Sequence, residues 1–204
     1  MVITRDAPTV TTASLPSTLT NSTANYIYAF NVSAKNSVGV KKILFDVTGS
    51  YGGTPTAIAN LETIITFTGS ATDITSGVKI WRSGTDLTSH ATIDITTDNT
   101  ISVVFDDNYE QAIGSTAKSY KLQATLTGFT GLTETGSGNT ISTKIKEATT
   151  TYAVAAAYAD LAGTTTFGWC DNSGTVDNNE DQVYWMNDRY LSGLETESVT
   201  LSLP

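Results

Sequence analysis

The sequence predicts an all-β chain, an antiparallel immunoglobulin-like β-sandwich with an additional C-terminal β segment. Three observations predict it. Apolar and polar residues alternate along short runs from one end of the chain to the other, the period of a strand with one buried face. Clusters of glycine, asparagine and aspartate separate these runs at spacings of roughly 8 to 12 residues, as in β-sandwiches. The 38 threonines and 19 serines among 204 residues also favour strands, because threonine is β-branched and keeps a hydroxyl for solvent.

Taken in order, the first 25 residues contain Pro8 and Pro16 and read as an extended lead-in or first strand. Tyr26, Tyr28, Phe30 and Val32 share one parity and Asn31 and Ser33 take the other, which assigns all four apolar side chains to the core. The device repeats at Ile43, Phe45 and Val47, at Val78 and Ile80, at Ile93 and Ile95, and at Ile101, Val103 and Phe105. It returns at Tyr120, Leu122, Ala124 and Leu126, and Ile141 and Ile145 flank Thr143. Phe167 with Trp169, Val183 with Trp185, and Val199, Leu201 and Leu203 complete about ten to twelve expected strands. Turn signals stand between them, among them Gly49-Ser50-Tyr51-Gly52-Gly53, Ser83-Gly84-Thr85-Asp86, Asp98-Asn99 and Gly136-Ser137-Gly138-Asn139. Two stretches could be helical, Asp107 to Ala112 and Tyr152 to Leu161, and the second alternates well enough to be read as a strand. The β repeat pauses at Lys146-Glu147-Ala148-Thr149-Thr150, so 1–146 is expected to be the sandwich. Residues 147–204 are expected to be a β segment packed on it or a small second lobe, since so short a piece makes a marginal core alone.

Composition narrows the function. Eleven Lys and Arg against 20 Asp and Glu give a net charge of −9, which argues against nucleic-acid binding. No apolar run approaches the roughly 20 residues of a membrane-spanning helix. Met1 to Asp6 lacks a basic start followed by an apolar stretch, so an exported protein would contain this chain as one piece. Cys170 is the only cysteine, and stability must therefore come from packing rather than an internal disulfide.

Catalytic chemistry finds little to build on. His90 is the only histidine, no Gly-x-Ser-x-Gly elbow occurs, and Cys170 has no neighbouring base. The acidic pairs Asp106-Asp107 and Glu180-Asp181 suit turns as well as they suit a glycosidase. The chain is expected not to be an enzyme. Calcium is the most credible ion, because it takes several hard oxygen donors in one loop. Asp171, Asp177, Asn179 and Asp181 are the candidate ligands, the last three at the alternate spacing that opens an EF-hand loop. Trp169 and Trp185 follow the buried parity of Phe167 and Val183. Trp81 falls opposite to Val78 and Ile80, just before the Ser83-Gly84 turn, and is the candidate ligand contact at a loop.

Several stretches resemble a known class of surface module. They are Tyr28-Ala29-Phe30-Asn31-Val32-Ser33-Ala34, the run from Val40 to Val47, Val78 to Gly84, Ser102 to Asp107 and Ile113 to Ala124. Phe167-Gly168-Trp169-Cys170-Asp171-Asn172-Ser173, Tyr184-Trp185-Met186-Asn187 and Tyr190-Leu191 add an aromatic closing pattern. Together they look like the repeated β-sandwich modules of large S-layer-like or adhesin-like surface proteins of uncultivated small-genome bacteria. Cys170 stands where that pattern has Ser, Tyr184 where it has Asp, and Leu194-Glu195 where it has Leu-Pro. The resemblance implies an extracellular or cell-surface location and no catalytic residues. The expected function is a structural module that assembles with like modules through strand edges and flat sheet faces. Ser198 to Leu203 is the nominated edge. The alternative is an adhesin or carbohydrate-binding module that holds surface glycans with exposed aromatics such as Trp81.

Overall fold

The computed structural model describes residues 6–20, 24–51, 54–55, 77–95, 100–107, 109–125, 140–146, 151–155, 159, 165–172, 184–188, 191–194 and 196–202. Fifteen strands lie among them. They are β1 Thr9–Thr12, β2 Ala24–Ser33, β3 Val38–Tyr51, β4 Thr54–Pro55, β5 Val78–Arg82, β6 Thr85–Asp86, β7 Ala91–Ile95 and β8 Thr100–Phe105. The others are β9 Gln111–Ile113, β10 Lys118–Thr125, β11 Thr140–Ile145, β12 Val154–Ala155, β13 Phe167–Asp171, β14 Trp185–Met186 and β15 Val199–Ser202. All strand ladders are antiparallel, and two sheets pack face to face as the expected all-β sandwich.

Sheet A has five strands in the order β1-β2-β10-β5-β6. Sheet B is organised around β3, which is paired along both edges. One edge takes β13 over Val38 to Ile43 and then β11 over Phe45 to Ser50. The other edge takes β9 over Val38 to Val40, β8 over Lys42 to Asp46, and β4 at Ser50 and Tyr51. β7 continues the sheet beyond β8, β15 beyond β11, and β14 with β12 beyond β13. The strands after residue 147 therefore extend sheet B.

The core lies where the inner faces meet. Tyr28, Phe30, Val32, Ile80, Tyr120 and Leu122 of sheet A bury against Ile43, Phe45, Val47, Val103, Ile141, Phe167 and Leu201 of sheet B. Phe45 is the ring that bridges the layers, its centroid 5.9 Å from Tyr28 and 5.8 Å from Phe30. Phe30 in turn stacks on Tyr120 at 5.2 Å and 14°. Such offset or edge contacts add to what the buried area supplies.

Two bulges break the strict alternation, and each changes where a side chain goes. Tyr28 pairs with Leu122 but Tyr26 pairs with Gln123, so β2 contains one extra residue, Ile27. Ile27 and Tyr28 are both wholly buried as a result. Tyr26 is turned onto the solvent side of sheet A, 36% exposed, and the core position that parity assigned it is corrected on that ground. The second bulge is at Lys41, since Lys42 pairs with Gly168 and Val40 with Trp169. Lys41 is buried beneath the connection from β8 to β9, where its Nζ donates to Asp107 at 2.5 Å and Glu110 at 3.2 Å. Burial works against its charge, but the two carboxylates outweigh it and hold the ammonium pKa above its ordinary value.

Two glycines stand where a Cβ would be crowded, Gly39 by side chains and Gly193 by backbone. A Cβ on Gly39 would stand 2.8 Å from the Cys170 sulfur and 2.9 Å from the Asn172 amide nitrogen. Gly193, at φ +78°, would set a Cβ 1.9 Å from the Val10 carbonyl oxygen, and the Val10 amide donates to Ser192 O at 3.0 Å. That bond occupies part of the outer edge of β1. The outer edge of β15 is likewise met by the lead-in, through Leu19 N to Ser202 O at 2.8 Å and Ser202 N to Ser17 O at 2.9 Å. Of the two possible helices, Asp107 to Ala112 holds a turn at Asp107 and the start of β9 among its described residues, and Tyr152 to Leu161 holds β12 among its own.

Thr143 shows what a polar residue costs here. It faces the core between Ile141 and Ile145, fully buried, and its hydroxyl meets no hydrogen-bond partner among the described residues. Replacing it by valine, of nearly the same shape, removes an unsatisfied buried group. Thr143→Val is expected to raise the unfolding free energy by about 1 kcal/mol, read as a higher midpoint in urea at unchanged slope. A lower midpoint would show that the hydroxyl is satisfied.

Candidate functional site

The candidate site is the outer face of sheet A, and it follows from the register of three strands. Val78 and Ile80 point inward from β5, so Lys79 and Trp81 point outward. The hairpin from β5 to β6 turns on Ser83 and Gly84, at φ +48° and +88°, the positive pair that a two-residue type I′ hairpin requires. This tight turn sets Asp86 opposite Trp81. On the other side of β5, Lys121 of β10 lies opposite Trp81 and Gln123 opposite Lys79. The same two residues face Ala29 and Tyr26 of β2. Two rows result, Ala29-Lys121-Trp81-Asp86 and Tyr26-Gln123-Lys79.

The side chains of these rows hold one another in place. The Tyr26 and Trp81 rings stand at 83° with centroids 6.4 Å apart. The indole Nε1 donates to Gln123 Oε1 at 3.3 Å, which fixes the plane of Trp81. Lys79 Nζ lies 5.9 Å from the Trp81 ring and 3.0 Å from Asp86, while Lys121 Nζ lies 4.6 Å from the Tyr26 ring. Burial alone would raise the Asp86 carboxyl, but hydrogen bonds from the Thr88 hydroxyl and amide and from Lys79 outweigh it and keep the group below the ordinary carboxylate range. The face is therefore aromatic, hydrogen-bonding and cationic at once. Trp81 belongs to it as a strand residue rather than a loop residue. Tyr26 was hidden from the sequence by the Ile27 bulge, and the polar alternation of Lys121 and Gln123 in β10 was the available sign of a solvent face.

The other candidates lie elsewhere. Asp171 ends β13 opposite Val38, in sheet B rather than in the sheet that carries this face. Asp177, Asn179 and Asp181, with Glu180, lie outside the described residues. Among the described residues no cluster of three His, Cys, Asp or Glu is placed to hold a metal ion. His90 ends a 3-10 turn, Thr88–His90, and its ring stacks on Tyr109 at 3.8 Å and 10°. Asp107 is engaged by Lys41 and so is separated in role from Asp106. Trp169 is in the main core and donates from Nε1 to Asn187 O at 3.1 Å. Trp185 is buried too, but in a separate small cluster with Cys170, Ala153 and Ala155.

No protein-family model matches the chain, and no curated protein does. Among solved structures it is similar to AvmM, which catalyses macrocyclization in alchivemycin A biosynthesis. The alignment covers 97% of this chain and 88% of that one, at a TM-score of 0.34 and 6% identity. Likeness at that level bears on neither fold nor activity.

Cys170 offers a direct test of the packing around β13. Burial is the main cause that pushes its thiol up to about 12, and its Sγ donates to Asn172 Oδ1 at 3.1 Å. A thiol raised on folding favours the native state below its unfolded pKa, and that contribution fades as pH rises from about 8.5. Iodoacetamide at about pH 8.5 is expected to leave the native protein unlabelled while alkylating the urea-unfolded chain, as mass spectrometry would show. Labelling of the native chain at the unfolded rate would place the thiol in solvent instead.

Proposed function

We propose that the chain is a non-catalytic binding module of a cell-surface or extracellular protein, and that it holds saccharide rings on the outer face of sheet A. The observation that carries this reading is the perpendicular pair Tyr26 and Trp81, brought together on the solvent side by the Ile27 bulge. A pyranose presents C–H groups on its faces and hydroxyls around its rim. One ring of the pair acts as a floor for the C–H face and the other as a wall, and Gln123, Lys79 and Asp86 stand where rim hydroxyls need partners. The side chains come from the interiors of paired strands, so the site is held by the sheet itself. Location at the cell surface draws its support from the likeness of Tyr28 to Ala34 and Phe167 to Ser173 to adhesin-like modules.

A second reading is assembly with like modules through strand edges. It is favoured by β7, which pairs only with β8 among the described strands and alternates buried and exposed along its length. It is weakened at the nominated Ser198 to Leu203 segment, because β15 is bonded to β11 on one side and meets Ser17 to Leu19 at the other.

Glycan-array screening followed by calorimetry separates the two. Trp81→Ala and Tyr26→Ala are each expected to weaken binding to the selected glycans by tenfold or more, a loss of about 1.4 kcal/mol, with little change in melting temperature. Filaments or sheets in electron micrographs that persist in Trp81→Ala, with no glycan bound by the unaltered chain, would favour edge assembly.

A further inference from the structure

We infer that the glycan held on this face is anionic, built from uronic acids or comparably carboxylated sugars. The inference rests on the saccharide-binding reading and adds the charge of the ligand. Its basis is the treatment of lysine in an acidic chain. With a net charge of −9, carboxylates outnumber cations, and buried Lys41 is met by two of them. On the outer face of sheet A the balance reverses. Lys79 and Lys121 stand there with Asp86, and Asp86 is bound by Lys79 at 3.0 Å. Lys121 meets no carboxylate among the described residues, and its ammonium rests over the Tyr26 ring at 4.6 Å.

The positions fit a carboxylated sugar. Lys121 lies directly opposite Trp81 across the ladder, and neighbouring strands run about 4.8 Å apart, close to the width of one pyranose. A ring laid on Trp81 would carry its carboxylate over Lys121, where the cation gains a partner without breaking an existing ion pair. Gln123 already accepts from Trp81 through Oε1, which leaves its Nε2 to donate to a ring or carboxylate oxygen. Desolvated pairing of an ammonium with a carboxylate next to an aromatic ring strengthens both contacts relative to water.

The test uses matched polymers, namely polygalacturonate, alginate and hyaluronan, each beside its carboxyl-reduced neutral counterpart, titrated calorimetrically into the whole chain. At least one acidic polymer is expected to bind tenfold or more tightly than its neutral counterpart. Lys121→Gln is expected to abolish that preference, so that acidic and neutral polymers bind it alike, and added salt is expected to narrow the gap in the unaltered chain. Thermal melts of each variant confirm that the fold is retained, and Lys79→Gln serves as a second variant that leaves Tyr26 and its cation untouched. Equal affinity for acidic and neutral partners, or a preference that survives Lys121→Gln, overturns the charge assignment but leaves saccharide binding standing. Absence of binding to every acidic and neutral polymer, and to every glycan on the array, overturns both.

Discussion

The constraint on which the rest of the structure depends is that β3 must be bonded on both edges along most of its length. Each amide and carbonyl of a strand in this position that is taken out of water has to find a partner in another strand. Four strands from distant parts of the sequence, β8, β9, β11 and β13, converge on β3, and the adjacent β4 pairs with its end. At Gly39 the space a Cβ would take is filled by the Cys170 and Asn172 side chains. The Lys41 bulge lets β13 keep pairing with β3 past one extra residue. The extra side chain is then neutralised under the β8–β9 connection by Asp107 and Glu110.

Most of the architecture was legible because a period of two is a strong signal when one face is dry. Ile43, Phe45 and Val47, Ile101, Val103 and Phe105, and Tyr120, Leu122 and Ala124 all take the inward positions that alternation assigns them. Bulges were not legible, since one inserted residue leaves no mark in composition and only inverts the parity of what lies beyond it. At β2 the consequence is a functional-looking one, because Tyr26 exchanges the core for the face of Trp81. Trp81 itself was legible as an outward residue. That it stands in a strand row rather than at a loop depended on the Ser83-Gly84 hairpin being only two residues long, which brings β6 back immediately. The assignment of Trp185 to a buried position was right in burial but not in neighbourhood, since its small cluster with Cys170 is apart from the main core.

The face of sheet A and the buried centre of sheet B solve the same problem in opposite ways. In the interior a cation is tolerated only with carboxylates at hand, and Lys41 has two. Lys42, also buried, has its ammonium pKa lowered by desolvation, with the charge of Asp188 opposing that shift. Lys121 has solvent and a π face in place of a counter-ion, an arrangement that costs little and leaves the charge free to respond to something arriving from outside.

That asymmetry also bears on how the module keeps from associating indiscriminately. Flat sheet faces and open edges invite pairing with other chains, and the usual defences are charge on the face and cover on the edge. Both are present: Lys79, Asp86 and Lys121 punctuate the outer face of sheet A, and Ser17 to Leu19 and Ser192 meet the edges of β15 and β1. Under the proposed saccharide-binding function, the two lysines beside Trp81 favour a ligand of opposite charge, and this weighs more for binding a foreign polymer than for stacking like modules.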